Sequence, residues 1–142
     1  MKDFVETRIL EEIRRLLGGR VNELLNDLQF HIPLIEFGDY KGGYAVNPVI
    51  TLNTCERTEK ERIILMDVYA LTITFTVPET EDGELFCYVY SAAVDKVISE
   101  DTTLNGIANR VTITGKKYIP SKKPGCGEEW HVAISLRLTV EQ

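Results

Sequence analysis

The stretch that most constrains the fold of this chain is Ile63 to Val77, IILMDVYALTITFTV, an apolar run interrupted by the charge of Asp67. From Tyr69 onward the odd positions are Tyr69, Leu71, Ile73, Phe75 and Val77, and the even ones Ala70, Thr72, Thr74 and Thr76. Large side chains on one face and small or hydroxylic ones on the other, with a period of two, predict a half-buried strand. A strand of this kind needs a sheet around it and a cover over its apolar face.

The remaining segments supply both. Asp3, with Glu6 three residues on, reads as an N-cap, and Val5, Ile9, Ile13, Leu16 and Leu17 form an apolar stripe at helical spacing. Gly18 and Gly19 predict a break or kink, with a second helical segment running to about Leu28. Residues 30–47 carry unusual apolar weight for a loop and read either as a covered excursion or as a surface that meets a partner. Val49 to Asn53 reads as a short strand and the mixed-charge Glu56 to Arg62, ERTEKER, as a solvated connector.

After Pro78, the acidic cluster Glu79, Glu81, Asp82 and Glu84 suits the positive end of a helix, with Asp82 as N-cap. That helix places Phe86, Val89, Tyr90, Ala93 and Val97 on one face, and Tyr88, Ser91, Asp95 and Ser99 opposite. Asp101 to Gly106 reads as a turn, Arg110 to Thr114 as a strand, and Lys116 to Glu129 as a loop or hairpin tip. Trp130 to Val140 alternates throughout and is a further strand. The order α-α-β-β-α-β-β predicts an α+β fold over residues 1–142 as one domain, a mainly antiparallel sheet packed against helices.

Composition narrows the function. A net charge of −6 is unlike the basic balance of a general nucleic-acid binder. No apolar run approaches the roughly 20 residues of a membrane helix. The acidic N-terminus is unlike a signal peptide, and three widely spaced cysteines, Cys55, Cys87 and Cys126, fit reduced thiols in a cytoplasmic setting. Cys126 and His131 lack the companions a structural zinc site requires. Cys87 reads as a half-buried thiol, and neither glycine–lysine stretch has the frame of a phosphate-binding loop. Lys116, Lys117, Lys122 and Lys123 form a local basic patch, read as a charged hairpin tip. The expectation is therefore no enzyme activity, no cofactor and no metal.

Residues 48–140 carry a resemblance. Pro48-Val49-Ile50-Thr51-Leu52 precedes the ERTEKER stretch; a strand of the VYALTITF type follows, then a helix with YSAAVDKVISED. The turn Asp101-Thr102-Thr103-Leu104-Asn105-Gly106-Ile107-Ala108 leads to a strand and Tyr118, and the chain ends on WHVAISLRLTV. This succession resembles the tail terminator and tail-completion proteins of long-tailed bacteriophages and prophages. The resemblance implies a structural, non-catalytic α/β domain that assembles as a homo-oligomeric ring, commonly a hexamer. Such a ring caps the tail tube, meets the head–neck proteins and lets DNA pass without specific binding. It implies assembly in the bacterial host cytoplasm and residence in the virion tail, with no membrane partner. A head–tail connector or head-closure neck protein, and a small cytoplasmic binding module, are the alternatives. The acidic residues Glu79, Glu81, Asp82 and Glu84 and the basic Lys116, Lys117, Lys122 and Lys123 suit a head-to-tail subunit contact. Phe37, Tyr40 and Tyr44 are the apolar candidates for the same contact.

Overall fold

In a computed structural model the described residues are 4–28, 31–37, 45–77, 82–120 and 129–141. The helical N-terminal region comprises α1 (Val5–Leu16), a π-helical turn (Leu17–Val21) and α2 (Asn22–Asn26). Short strands β1 (Leu34–Ile35) and β2 (Ala45–Val46) follow, then β3 (Val49–Lys60), β4 (Ile63–Val77), α3 (Gly83–Glu100), β5 (Arg110–Ile119) and β6 (Trp130–Glu141). The main sheet has four strands in the order β3-β4-β6-β5, and every neighbouring pair is antiparallel. β1 and β2 form a separate parallel pair. The result is the α+β arrangement expected from the sequence.

The alternation of β4 is realised as burial. Tyr69, Leu71, Ile73, Phe75 and Val77 are buried, and so are Val132, Ile134, Leu136 and Leu138 of β6, which faces β4 along its length. The helices cover this face. Ile9, Ile13, Leu17, Val21 and Leu25 recur every four residues, and all are buried in the same cluster as the sheet residues. α3 contributes Phe86, Cys87, Tyr90, Val94, Val97 and Ile98. Val89, on the apolar face expected for α3, and Ile113 of β5 are half-buried at the margin of this core. Phe75 and Tyr90 stack with ring centroids 4.8 Å apart, and the Tyr90 hydroxyl donates to the Pro33 carbonyl at 2.5 Å.

Several expectations are corrected. Gly18 and Gly19 interrupt the α-helix as expected, but without ending it: the chain widens into a π turn and the second segment runs to Asn26. The wide turn keeps the every-four-residue burial in phase between Leu17 and Val21. Arg20 then reaches Glu100 at the end of α3 through two hydrogen bonds of 3.0 and 2.9 Å. Asn22 holds β1 by pairing with the backbone of Ile35 as a strand would, donating to its carbonyl and accepting from its N–H, both at 2.8 Å. Asp3 lies outside the described residues, and Phe4 occupies the N-cap position of α1.

The short strand at Val49 extends to Lys60, so ERTEKER is a strand with a two-residue turn at Glu61–Arg62 and not a connector. Cross-strand pairing to β4 overrides the charge of the stretch, since all of its side chains are exposed and stay hydrated. β5 likewise runs to Ile119, beyond the expected end at Thr114, with a bulge between Ile113 and Gly115. Ser91 is buried instead of solvent-facing, because its hydroxyl pairs with that of Tyr118 at 2.8 Å. Within residues 30–47, Ile32, Ile35 and Val46 are buried in the main cluster, so their apolar weight packs within the chain.

Candidate functional site

Helices cover one face of the sheet. The other carries Val68, Ala70, Thr72, Thr74 and Thr76 of β4 beside His131, Ala133, Ser135, Arg137 and Thr139 of β6. These are small, hydroxylic or charged groups, half-buried or exposed. The face holds local polar pairs: Thr76 Oγ1 lies 3.1 Å from His131 Nδ1, and Asn53 donates to Thr72 Oγ1 at 2.6 Å. A shallow trough of about 510 Å³ opens between the far part of β3 and β6, lined by residues including Glu56, Thr58, Val68 and Arg137.

A second depression, of about 570 Å³, runs between α3 and the outer edge of β5. Its lining takes every β5 residue from Arg110 to Lys116 together with Asp95, Ile98, Ser99 and Thr102. Consecutive residues of a strand point to opposite faces, so a wall made of all of them is the strand's backbone edge. Lys116 bridges the depression to Asp95 at 2.9 Å. One end is closed where the Val111 N–H donates to the Thr102 carbonyl at 2.7 Å.

The Asp101–Gly106 turn that supplies Thr102 is built around one carboxylate. Asp101 accepts from the N–H and hydroxyl of Thr103 at 3.0 and 2.7 Å and from the Asn105 N–H at 2.8 Å. These bonds, led by the Thr103 hydroxyl, hold its carboxyl below the usual range. Leu104, Asn105 and Gly106 all have positive φ, and the buried Leu104 side chain anchors the turn in the core.

The other charge of note is Asp67, the residue that interrupts the central strand. Its side chain is 5% exposed and is clamped by Arg57 through bonds of 2.7 and 3.0 Å. The Arg57 hydrogen bonds dominate over burial and lower its pKa. Cys87 is fully buried, and desolvation pushes its thiol up to about 11, so it is protonated and unreactive near neutrality. Among the described residues no group of three or more His, Cys, Asp or Glu is placed to hold a metal ion. Among them, no helix is long and apolar enough to cross a membrane.

The residues singled out for subunit contact separate as follows. Tyr40, Tyr44, Glu79, Glu81, Lys122 and Lys123 lie outside the described residues. Phe37 is half-buried against the core. Asp82 is the N-cap of α3 and Glu84 sits in its first turn, accepting from the Tyr88 hydroxyl at 2.7 Å. Tyr88 in turn meets Tyr118 edge-on at 5.1 Å, and Lys116 is engaged by Asp95. Asp82, Glu84 and Lys116 thus lie where α3 runs beside β5, and Lys117, level with Ala133 of β6, is exposed on the other face of β5. What sequence reasoning missed is the pair of sheet edges. Among the described residues, β3 and β5 each pair on one side only within the main sheet. No side-chain pattern announces an edge, because strand order is a property of the whole sheet. No protein-family model matches this chain, and no curated protein matches it.

Proposed function

We propose that this chain is a structural subunit of a phage or prophage tail, assembling as a ring that caps the tail tube and joins it to the head. The observation that carries the reading is the all-antiparallel sheet with long strands at both edges, 12 residues in β3 and 10 in β5. Long free edges are surfaces on which further chains assemble. The resemblance of residues 48–140 supplies the identity of the assembly, and the element order agrees with the domain it implies. The polar sheet face and the net charge of −6 suit a channel along which DNA slides without sticking. In this role the chain performs no catalysis; its work is self-association and docking on tube and neck proteins.

The test is solution mass across a concentration series, with electron microscopy of the same samples and of purified tail tubes mixed with labelled protein. The expected result is closed rings with a central channel and label at one end of the tube. A strict monomer at every concentration, with no label at tube ends, overturns the proposal.

A further inference from the structure

We propose that neighbouring copies in the ring join edge to edge, with β5 of one copy pairing antiparallel with β3 of the next along the depression beside α3. This rests on the ring reading and deepens it by naming the contact.

Strand polarity comes first. β3, β4, β6 and β5 alternate in direction, so the two edges of the sheet run opposite ways. Repeating the subunit by rotation about an axis along the strands brings β3 of the next copy beside β5 in antiparallel orientation, the same relation as every pair within the sheet. An edge-to-edge contact of two different edges is head-to-tail, the kind that closes as a ring where the rotation allows.

Register comes next. Rotation has no rise, so residues at one level across the sheet meet across the contact. Tracing levels through the ladder, Val49 pairs Thr74, which pairs Ala133, which pairs Lys117. In the same way Ile50 lies level with Lys116, Leu52 with Ile113, Thr54 with Thr112, and Glu56 with Arg110. Four of these five juxtapositions are favourable in side-chain type. Leu52 meets Ile113, Thr54 meets Thr112, and Glu56 meets Arg110 with opposite charge on the same face. Ile50 enters the depression against Ile98 and the methylene stem of Lys116, whose ammonium group Asp95 holds.

The edges are also available. Val49 is 62% exposed, a large apolar residue at the start of an unpaired edge. On β5 the Thr102 carbonyl already takes the Val111 N–H, so backbone pairing is confined to the stretch from Thr112 to Lys117, opposite Val49 to Thr54. Beyond it the contact continues through the Glu56 and Arg110 side chains. An extended strand added to a free edge gains main-chain hydrogen bonds, and alternate side chains set its register.

The test is site-directed crosslinking of the full chain with Cys55→Ser and Cys126→Ser, carrying Val49→Cys and Lys117→Cys. Both substituted positions are exposed on the uncovered face. Paired strand residues sit about 4.5–5.5 Å apart, within disulfide range. The expected result on mild oxidation is a ladder of covalent multiples ending at the ring, with no ladder from either single cysteine. Oligomers of unchanged mass that do not crosslink overturn the edge contact and leave the ring reading standing. Disulfide dimers from either single cysteine alone mean like edges meet, and also overturn it. Monomers at every concentration that neither crosslink nor label tube ends remove both. Circular dichroism matching the parent chain confirms that each variant is folded.

Discussion

The near and far halves of the β3–β4 hairpin are both paired strand and differ in what packs against them. In the near half, β4 from Tyr69 to Val77 buries every second side chain under helices and pairs with β6. In the far half, Glu59 to Arg62 are all exposed, and Ile63 and Leu65 are 63% and 43% exposed. The boundary is where β6 ends: Met66 pairs Glu141, and beyond it the hairpin is a two-stranded ribbon. Such a ribbon is marginally stable by itself. The Arg57–Asp67 clamp sits at that junction and ties β3 to β4 where helical cover runs out. Cross-strand pairing therefore makes a strand in both halves, but only packing turns it into stability.

The largest test of this contrast is a truncation in each half. Ile73→Ala removes a fully buried side chain and is expected to cost about 2–5 kcal/mol. Leu65→Ala, in the ribbon, should stay within about 0.5 kcal/mol of wild type. Chemical denaturation measures both, and equal losses would break the comparison. Next in size, Tyr90→Phe leaves the buried Pro33 carbonyl without its hydroxyl donor and should cost about 1–3 kcal/mol. That would show how far the near half depends on the residues 31–37 packed around it, and an unchanged midpoint would sink the assignment.

A smaller effect of opposite sign is expected at the ribbon's turn. Glu61 and Arg62 have φ of 53° and 69°, where side-chain-bearing residues are disfavoured and Asn-Gly is preferred. Glu61→Asn with Arg62→Gly should gain about 1 kcal/mol and slow amide exchange in the far half before the near half. Faster exchange there would refute the turn reading.

The finest test is pH. Asp67 has its folded pKa lowered by Arg57, so its contribution is present above the ordinary carboxylate range and is lost as pH falls through the folded value. Asp101 and Glu100 are shifted the same way and add to acid sensitivity elsewhere. Asp67→Asn should therefore unfold at lower denaturant than wild type near pH 7, with the gap closing below about pH 4. A gap independent of pH would mean that the clamp contributes packing and not charge.

Much of the fold was legible because burial on one face leaves a periodic trace. Ile9, Ile13, Leu17, Val21 and Leu25 announce a covered helix, and Tyr69 to Val77 and Val132 to Leu138 announce covered strands. ERTEKER was illegible as a strand because none of its side chains is buried, so the pairing that makes it one leaves no apolar pattern. The π turn was hidden for the opposite reason. Two glycines suggest a break, while the tertiary contacts of Leu17 and Val21 favour continued helix.

The sequence by itself determined which side chains must leave water, and hence the α+β class and the central place of β4, since that follows from local apolar spacing. Tertiary structure alone decided the strand order, with β6 between β4 and β5, and so which strands are the edges among the described residues. An edge is made of N–H and C=O groups that every residue carries alike, and only the assembled sheet shows which of them have no neighbour.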